Sequence, residues 1–276
     1  MSVNSYLTQT AGQAIIRESE KESIQRSIST MQARLNNYFP NELSRHLIFG
    51  SYTRDTILPR TMDSNSDIDY MVVFSDGAYK PQTYLGKLRR FVNYYYSSSE
   101  ISQSHPTIVL SLNHIKFELV PATRSFLGGV QIPAKSSDYN DWISTDPNDF
   151  NQTLTTANQT YQSMINPMIR LLKYWNAANN RPFESFELEK MLAERSYFSV
   201  GGLLGRGQLK DYFLDALGGL QADFFAPQYK KDAINRAHQL VQETKLYLSL
   251  GYEDTAQQKV QRLIPPVGLL SGLGVV

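Results

Sequence analysis

Two aspartates head an apolar run in Asp67-Ile68-Asp69-Tyr70-Met71-Val72-Val73-Phe74, and this octet constrains the fold more than any other part of the chain. The residues from Ile68 to Phe74 are rich in β-formers and predict a strand. In a strand, residues i and i+2 share a face, so Asp67 and Asp69 project together while Ile68 packs behind them. Two neighbouring carboxylates repel each other unless a cation neutralises them, and their oxygens suit magnesium. Taken alone, the pair also has the composition of an ordinary solvated acidic turn.

A third acid lies in His114-Ile115-Lys116-Phe117-Glu118-Leu119-Val120. Alternation puts Ile115, Phe117 and Leu119 on one face of a strand and Glu118 on the other, beside Lys116 and Val120. A carboxylate in an otherwise apolar strand needs a partner or a metal, unless that face is open to water. Upstream, Leu47-Ile48-Phe49 reads as a strand closed by Gly50-Ser51. Glycine permits a tight turn and close backbone approach, and amides exposed at a helix start attract phosphate oxygens. Gly-Ser alone is a common turn. Strand, Gly-Ser, loop, Asp-x-Asp strand and third acidic strand in that order supply a phosphate cradle and a three-carboxylate site. Such a site, with Mg2+ or Mn2+, serves phosphoryl transfer by two metal ions.

The periodicity around these residues predicts an α+β fold. Gln9 to Tyr38 reads as one long helix, with Ile24, Ile28, Met31 and Leu35 forming a buried stripe. A helix over Lys80 to Tyr96 and paired strands over 107–112 and 114–120, joined at Asn113, complete a sheet lobe. Beyond Pro133 helical patterns dominate: Asp149 to Asn179 with a break at Pro167, Glu184 to Ser196, Lys210 to Leu217 and Tyr229 to Leu250. The expected division is a catalytic lobe with an N-terminal spine helix over 1–133 and a helical nucleotide-binding lobe over 134–276. Gly205-Arg206-Gly207 lacks the spacing of a dinucleotide motif and reads as a hinge or turn. The apolar tail Leu263 to Val276 reads as irregular.

The chain has no cysteine, which removes disulfide frameworks and thiolate zinc sites and suits a reducing compartment. The N-terminus lacks the features of a secretory signal, and no run approaches the ~18 apolar residues that span a bilayer. The expected location is the cytoplasm, and the sequons at Asn151 and Asn158 are chance matches. Net charge is +1, from 27 basic and 26 acidic residues, so no global basic excess points to a grip on duplex nucleic acid.

In FGSYTRDT (Phe49 to Thr56), SDIDYMVV (Ser66 to Val73) and FELVPA (Phe117 to Ala122) the sequence resembles the polymerase-β-like nucleotidyltransferases. RLLKYWN (Arg170 to Asn176) and SFELEKML (Ser185 to Leu192) are similar to the bacterial relatives of cyclic GMP-AMP synthase and oligoadenylate synthase. These stretches span about half the chain in the family's order. The resemblance implies a sheet lobe packed on a helical lobe and roles for individual residues. Asp67, Asp69 and Glu118 would hold the metals, with Glu118 or a metal helping to deprotonate the acceptor hydroxyl. Gly50, Ser51, Lys173 and Ser185 would bind the donor triphosphate, and Phe186 matches a position that stacks on a nucleobase. By residue type alone, Lys173 is expected to be solvated, Ser185 to cap its helix and Phe186 to join the core. The family's third acid is commonly aspartate, so Glu118 is a departure by one methylene. No zinc-bearing DNA-binding insertion is present, so activation by nucleic acid is not implied.

Asn166 stands seven residues before Lys173, nearly two helical turns, and would share its face if Pro167 leaves the register intact. Its amide can donate and accept, as the pairing edge of uracil or adenine requires. In related bacterial enzymes an asparagine in this region is associated with a pyrimidine nucleotide, so the product is expected to contain uridine. The alternative is an Asn that caps or breaks the helix at Pro167. The leading function is template-independent synthesis of a cyclic di- or trinucleotide from ATP with UTP or GTP, releasing pyrophosphate, in antiphage defence and under a regulatory protein partner. Transfer to tRNA, protein or a linear oligonucleotide, and an inactive nucleotide-binding partner subunit, are the alternatives.

Overall fold

A computed structural model describes residues 1–104, 106–125, 128–134, 141–146, 149–201 and 207–268. The chain forms two compact units that interleave in sequence instead of meeting at 133/134. One comprises Met1–Ile16, Asp55–Ser64 and Phe150–Val276, and the other Arg17–Arg54 and Asn65–Asp149.

The chain opens with helix α1 (Val3–Gln13), followed by α2 (Glu18–Tyr38). The long N-terminal helix is therefore α2, 21 residues long, and its start lies at Glu18, not at Gln9. The interruption has a packing cause. Val3, Tyr6, Leu7, Ala11 and Ala14 belong to the core of the helical unit, whereas the stripe of Ile24, Ile28, Met31 and Leu35 is buried in the sheet unit. One straight helix cannot present both stripes to two cores, and Arg17, in extended backbone, makes the break.

The sheet unit holds β1 (Leu43–Phe49), a 3-10 turn (Gly50–Tyr52), β2 (Asp67–Phe74), α3 (Pro81–Tyr95), β3 (Glu100–Ser104), β4 (Thr107–Ser111), β5 (Lys116–Arg124), β6 (Val130–Pro133) and β7 (Trp142–Thr145). They form a seven-stranded mixed sheet in the order β1-β2-β5-β4-β3, with β6 pairing β5 and β7. β2 and β5 are parallel, which requires the crossover through α3, β3 and β4. The β4–β5 hairpin pairs Leu110 with Phe117 and Val109 with Glu118, as the alternation on either side of Asn113 predicts. The sheet runs on to Thr145, past the point where the sequence turns helical. β7 is short and largely exposed, so its alternation is too brief to register as a strand pattern.

The helical unit comprises α1, α4 (Asp149–Thr160), α5 (Ile165–Ala178), α6 (Ser185–Glu194), α7 (Phe198–Gly201), α8 (Leu209–Gly218), α9 (Gln228–Ser249) and α10 (Glu253–Leu263). The expected helix over 149–179 is two helices, and the break precedes Pro167. Gln162 and Ser163 adopt left-handed backbone (φ 53° and 62°). Pro167 lies in the first turn of α5, where its missing N–H removes no helical bond. α1 is tied to α10 and the residue after it. Tyr6 Oη donates to the Ile264 carbonyl at 2.6 Å, and the Val3 amide donates to Glu253 Oε1 at 2.7 Å. The expected turn at Gly205-Arg206 and the apolar tail beyond Gly268 lie outside the described residues. Among the described residues no helix is long and apolar enough to cross a membrane.

Candidate active site

The register of the parallel pair assembles the acids. Asp67 is opposite Lys116 and Asp69 is opposite Glu118, so Asp69 and Glu118 are direct neighbours across two strands. Partners in a parallel pair point to the same face, and Asp67 shares it by the i, i+2 rule. The opposite face carries Ile68, Tyr70, Phe117 and Leu119, all fully buried. The acidic face is half-buried at its start and turns apolar further along. There Met71, Val73, Ala122 and Val130 pack with Leu47, Phe49 and Ile132. That small core lies further along the same face from the three carboxylates. Lys116 Nζ, beside Asp67 in register, donates to Asn65 Oδ1 at 3.1 Å.

Gly50 closes against this face. Phe49 pairs with Asp69 across β1 and β2, which brings the turn over the carboxylate. A Cβ on Gly50 would lie 1.8 Å from Asp69 Oδ2 and 2.6 Å from its Cγ. The backbone there is left-handed, φ +76°, so space and conformation both demand glycine. Ser51 follows in the same 3-10 turn, which Thr53 Oγ1 pins by donating to the Gly50 carbonyl at 2.9 Å. The donor set here is all carboxylate oxygen, which fits a hard divalent cation. Among the described residues no three His, Cys, Asp or Glu side chains are already gathered into a metal-holding cluster.

In the helical unit, Asn166 and Lys173 lie in the uninterrupted α5, where a spacing of seven residues keeps them on one face. Asn166 does not cap the helix. The N-cap position is Met164, and the Asn166 backbone amide in the first turn donates to Asn158 Oδ1 at 3.0 Å. Lys173 is only 6% exposed, which overturns the expectation of a solvated lysine. Ser185 is the first residue of α6 and not its cap, a position held by Glu184 without a side-chain capping bond. Phe186 is 52% exposed, with its ring edge-on to Phe150 at 5.4 Å. It therefore lies outside the core, because α6 buries Leu188, Glu189 and Leu192 instead.

Sequence pattern alone did not single out Arg170. It is buried one turn before Lys173, donates from Nη1 to the Asp55 carbonyl at 2.8 Å, and burial lowers its pKa. The Arg-x-x-Lys spacing on one helix face was the available signal, hidden because the flanking leucines read as packing. Glu189 is also buried, accepting from Thr56 Oγ1 at 2.7 Å.

The family model described as the Second Messenger Oligonucleotide or Dinucleotide Synthetase domain matches residues 1–158. The chain belongs to this family. The match includes Gly50, Ser51, Asp67, Asp69 and Glu118 and stops short of Asn166, Lys173, Ser185 and Phe186. Among curated proteins, this synthetase-family chain is 26% identical over 185 residues to a probable cyclic nucleotide synthase of Bacillus cereus. That alignment spans 53% of the chain and 54% of the relative, about half the length of each. The chain shares its fold with the Vibrio cholerae DncV cyclic AMP-GMP synthase: TM-score 0.69, 11% identity, 93% of each chain covered. The Bradyrhizobium diazoefficiens CD-NTase CdnG, solved in complex with GTP, gives TM-score 0.67 at 9% identity, covering 95% of this chain and 98% of that one. The α+β architecture is accordingly the polymerase-β-like fold of these synthetases.

Proposed function

We propose that this chain is a metal-dependent, template-independent nucleotidyltransferase that joins nucleoside triphosphates into a cyclic di- or trinucleotide and releases pyrophosphate. The observation that carries this reading is the pairing of Asp69 with Glu118 beneath Gly50, with Asp67 on the same face. Asp67, Asp69 and Glu118 would hold Mg2+ or Mn2+. When bound, the metal supplies charge neutralisation to the triphosphate and the leaving pyrophosphate. Gly50 and Ser51 would receive the phosphates of the donor, because the close backbone approach leaves room for oxygens and no Cβ. An acceptor hydroxyl oxygen then bonds to the α-phosphorus as the bond to pyrophosphate breaks, and Glu118 takes the hydroxyl proton on a carboxylate oxygen.

Lys173 and Ser185 would add a cation and a hydroxyl for the triphosphate, and the exposed ring of Phe186 would stack on the base. The common face of Asn166 and Lys173 supports a base-reading asparagine and a product containing uridine. ATP with UTP or GTP are the proposed substrates, and signalling in antiphage defence the proposed setting.

The test is product analysis, by mass spectrometry, of incubations with the four nucleoside triphosphates and Mg2+. Asp67→Ala combined with Asp69→Ala should remove all cyclic product. Product formation by that double variant would refute the catalytic assignment, and failure to incorporate UTP would refute the uridine reading.

A further inference from the structure

Asn176 carries no role in the chemistry above, yet both ends of its side-chain amide are bonded. It is 2% exposed, and its amide clasps one residue at both ends. Asn176 Nδ2 donates to the Phe183 carbonyl at 2.8 Å, and Asn176 Oδ1 accepts from the Phe183 amide at 3.0 Å. The Asn176 carbonyl also accepts from the Arg181 amide at 2.8 Å. The loop thus held contains Asn180 and Arg181 in left-handed backbone (φ 58° and 51°), conformations that persist only when their surroundings impose them. Further contacts hold the same loop. Arg181 forms a two-point ion pair with Asp63, and Lys230 Nζ lies 4.3 Å from the centre of the Phe183 ring.

This loop joins α5, which carries Lys173, to α6, which begins with Ser185 and Phe186. Ser185 is two residues past the clasped Phe183, too few for the chain to absorb a displacement. We propose that Asn176 is a positioning residue that sets Ser185 and Phe186 relative to Lys173 for nucleotide binding. This rests on the assignment of Lys173 and Ser185 to the triphosphate. Asparagine suits the task because its short amide matches the donor–acceptor pair of one peptide residue, as a neighbouring strand would.

The experiment compares Asn176→Ala, Asn176→Asp and Asn179→Ala in the full chain, with Lys173→Ala and Ser185→Ala alongside. Asn179 Nδ2 donates to the Trp175 carbonyl at 2.8 Å, so Asn179→Ala removes a bond of similar length beside the same loop and leaves the clasp intact. KM and kcat for the best-used nucleoside triphosphate and the melting temperature are measured for each. Asn176→Ala should raise KM roughly tenfold, towards the values of Lys173→Ala and Ser185→Ala, and change kcat by less than about threefold. Asn176→Asp keeps the acceptor half of the clasp but sets a carboxylate oxygen against the Phe183 carbonyl, so it should raise KM at least as far as Asn176→Ala. Asn176→Ser, a short neutral side chain, provides the measurement if Asn176→Ala does not fold. Asn179→Ala should lower the melting temperature without raising KM. If the Asn176 variants lose stability but keep a wild-type KM, Asn176 is a structural clasp and the proposal is wrong. If KM is also unchanged in Lys173→Ala and Ser185→Ala, the nucleotide assignment itself fails and the positioning role falls with it.

Discussion

Gly50→Ala probes the site through a single methyl group. The new Cβ would stand 1.8 Å from Asp69 Oδ2 and 3.0 Å from Asp69 Cβ, so the Asp69 side chain has to turn away. Left-handed backbone at a residue with a Cβ costs about 1–2 kcal/mol. Turning Asp69 out of its staggered well costs ~0.5–1.5 kcal/mol more. A stability loss of roughly 2–3 kcal/mol follows in denaturant unfolding. The catalytic loss should be larger, because the carboxylate must move by on the order of 1 Å, and a misplacement of that size costs about 100-fold in rate. The assay is pyrophosphate release at saturating nucleotide, at a temperature where the folded fraction of Gly50→Ala is confirmed by circular dichroism. Gly77→Ala is the control, since its Cβ would meet Thr123 Cβ at an ordinary 3.6 Å. A Gly50→Ala protein that is less stable but turns over at the wild-type rate would show that the Asp69 carboxylate does not take part in the chemistry.

Three further outcomes are expected. Glu118→Gln keeps the size of the side chain but removes its charge and its capacity to take a proton. Cyclic product should fall by at least about 100-fold with the unfolding midpoint unchanged, and surviving activity would make the centre a pair of aspartates. His46 is bonded at both ring nitrogens, to Tyr70 Oη at 2.7 Å and Asn36 Oδ1 at 3.0 Å, and burial lowers its pKa below 6.5. The unfolded chain therefore binds the proton more tightly. Stability from this group is complete above about pH 6.5 and is lost as pH falls through the lower folded value. Urea unfolding of His46→Gln should show a shallower acid dependence just below pH 6.5 than wild type, and an unchanged slope would contradict the assignment. Gly12, inside α1, has open space where a Cβ would stand, with no atom within 4 Å. Gly12→Ala should therefore raise stability by about 0.5–1 kcal/mol in thermal unfolding without altering activity.

Much of the site was legible from local pattern. Asp67 and Asp69 share a face because a strand repeats every two residues, and the alternation around Glu118 separates it from Phe117 and Leu119. The stripe of Ile24, Ile28, Met31 and Leu35 announces α2 in the same way. These readings need only the period of a helix or a strand. The start of α2 was not legible, because the periodicity of α1 continues in kind and only the partition between two cores separates them. Burial of Lys173 and exposure of Phe186 ran against residue type, since both depend on which face of a helix finds a neighbour. The pairing of Asp69 with Glu118 belongs to the same class. Forty-nine positions separate them in the chain, and only the choice of a parallel β2–β5 register makes them neighbours. Local alternation was enough to set each carboxylate on the less apolar face of its own strand. The paired strands alone put all three on one common face, under a glycine with no room for a Cβ, because register and close approach are properties that no single segment carries.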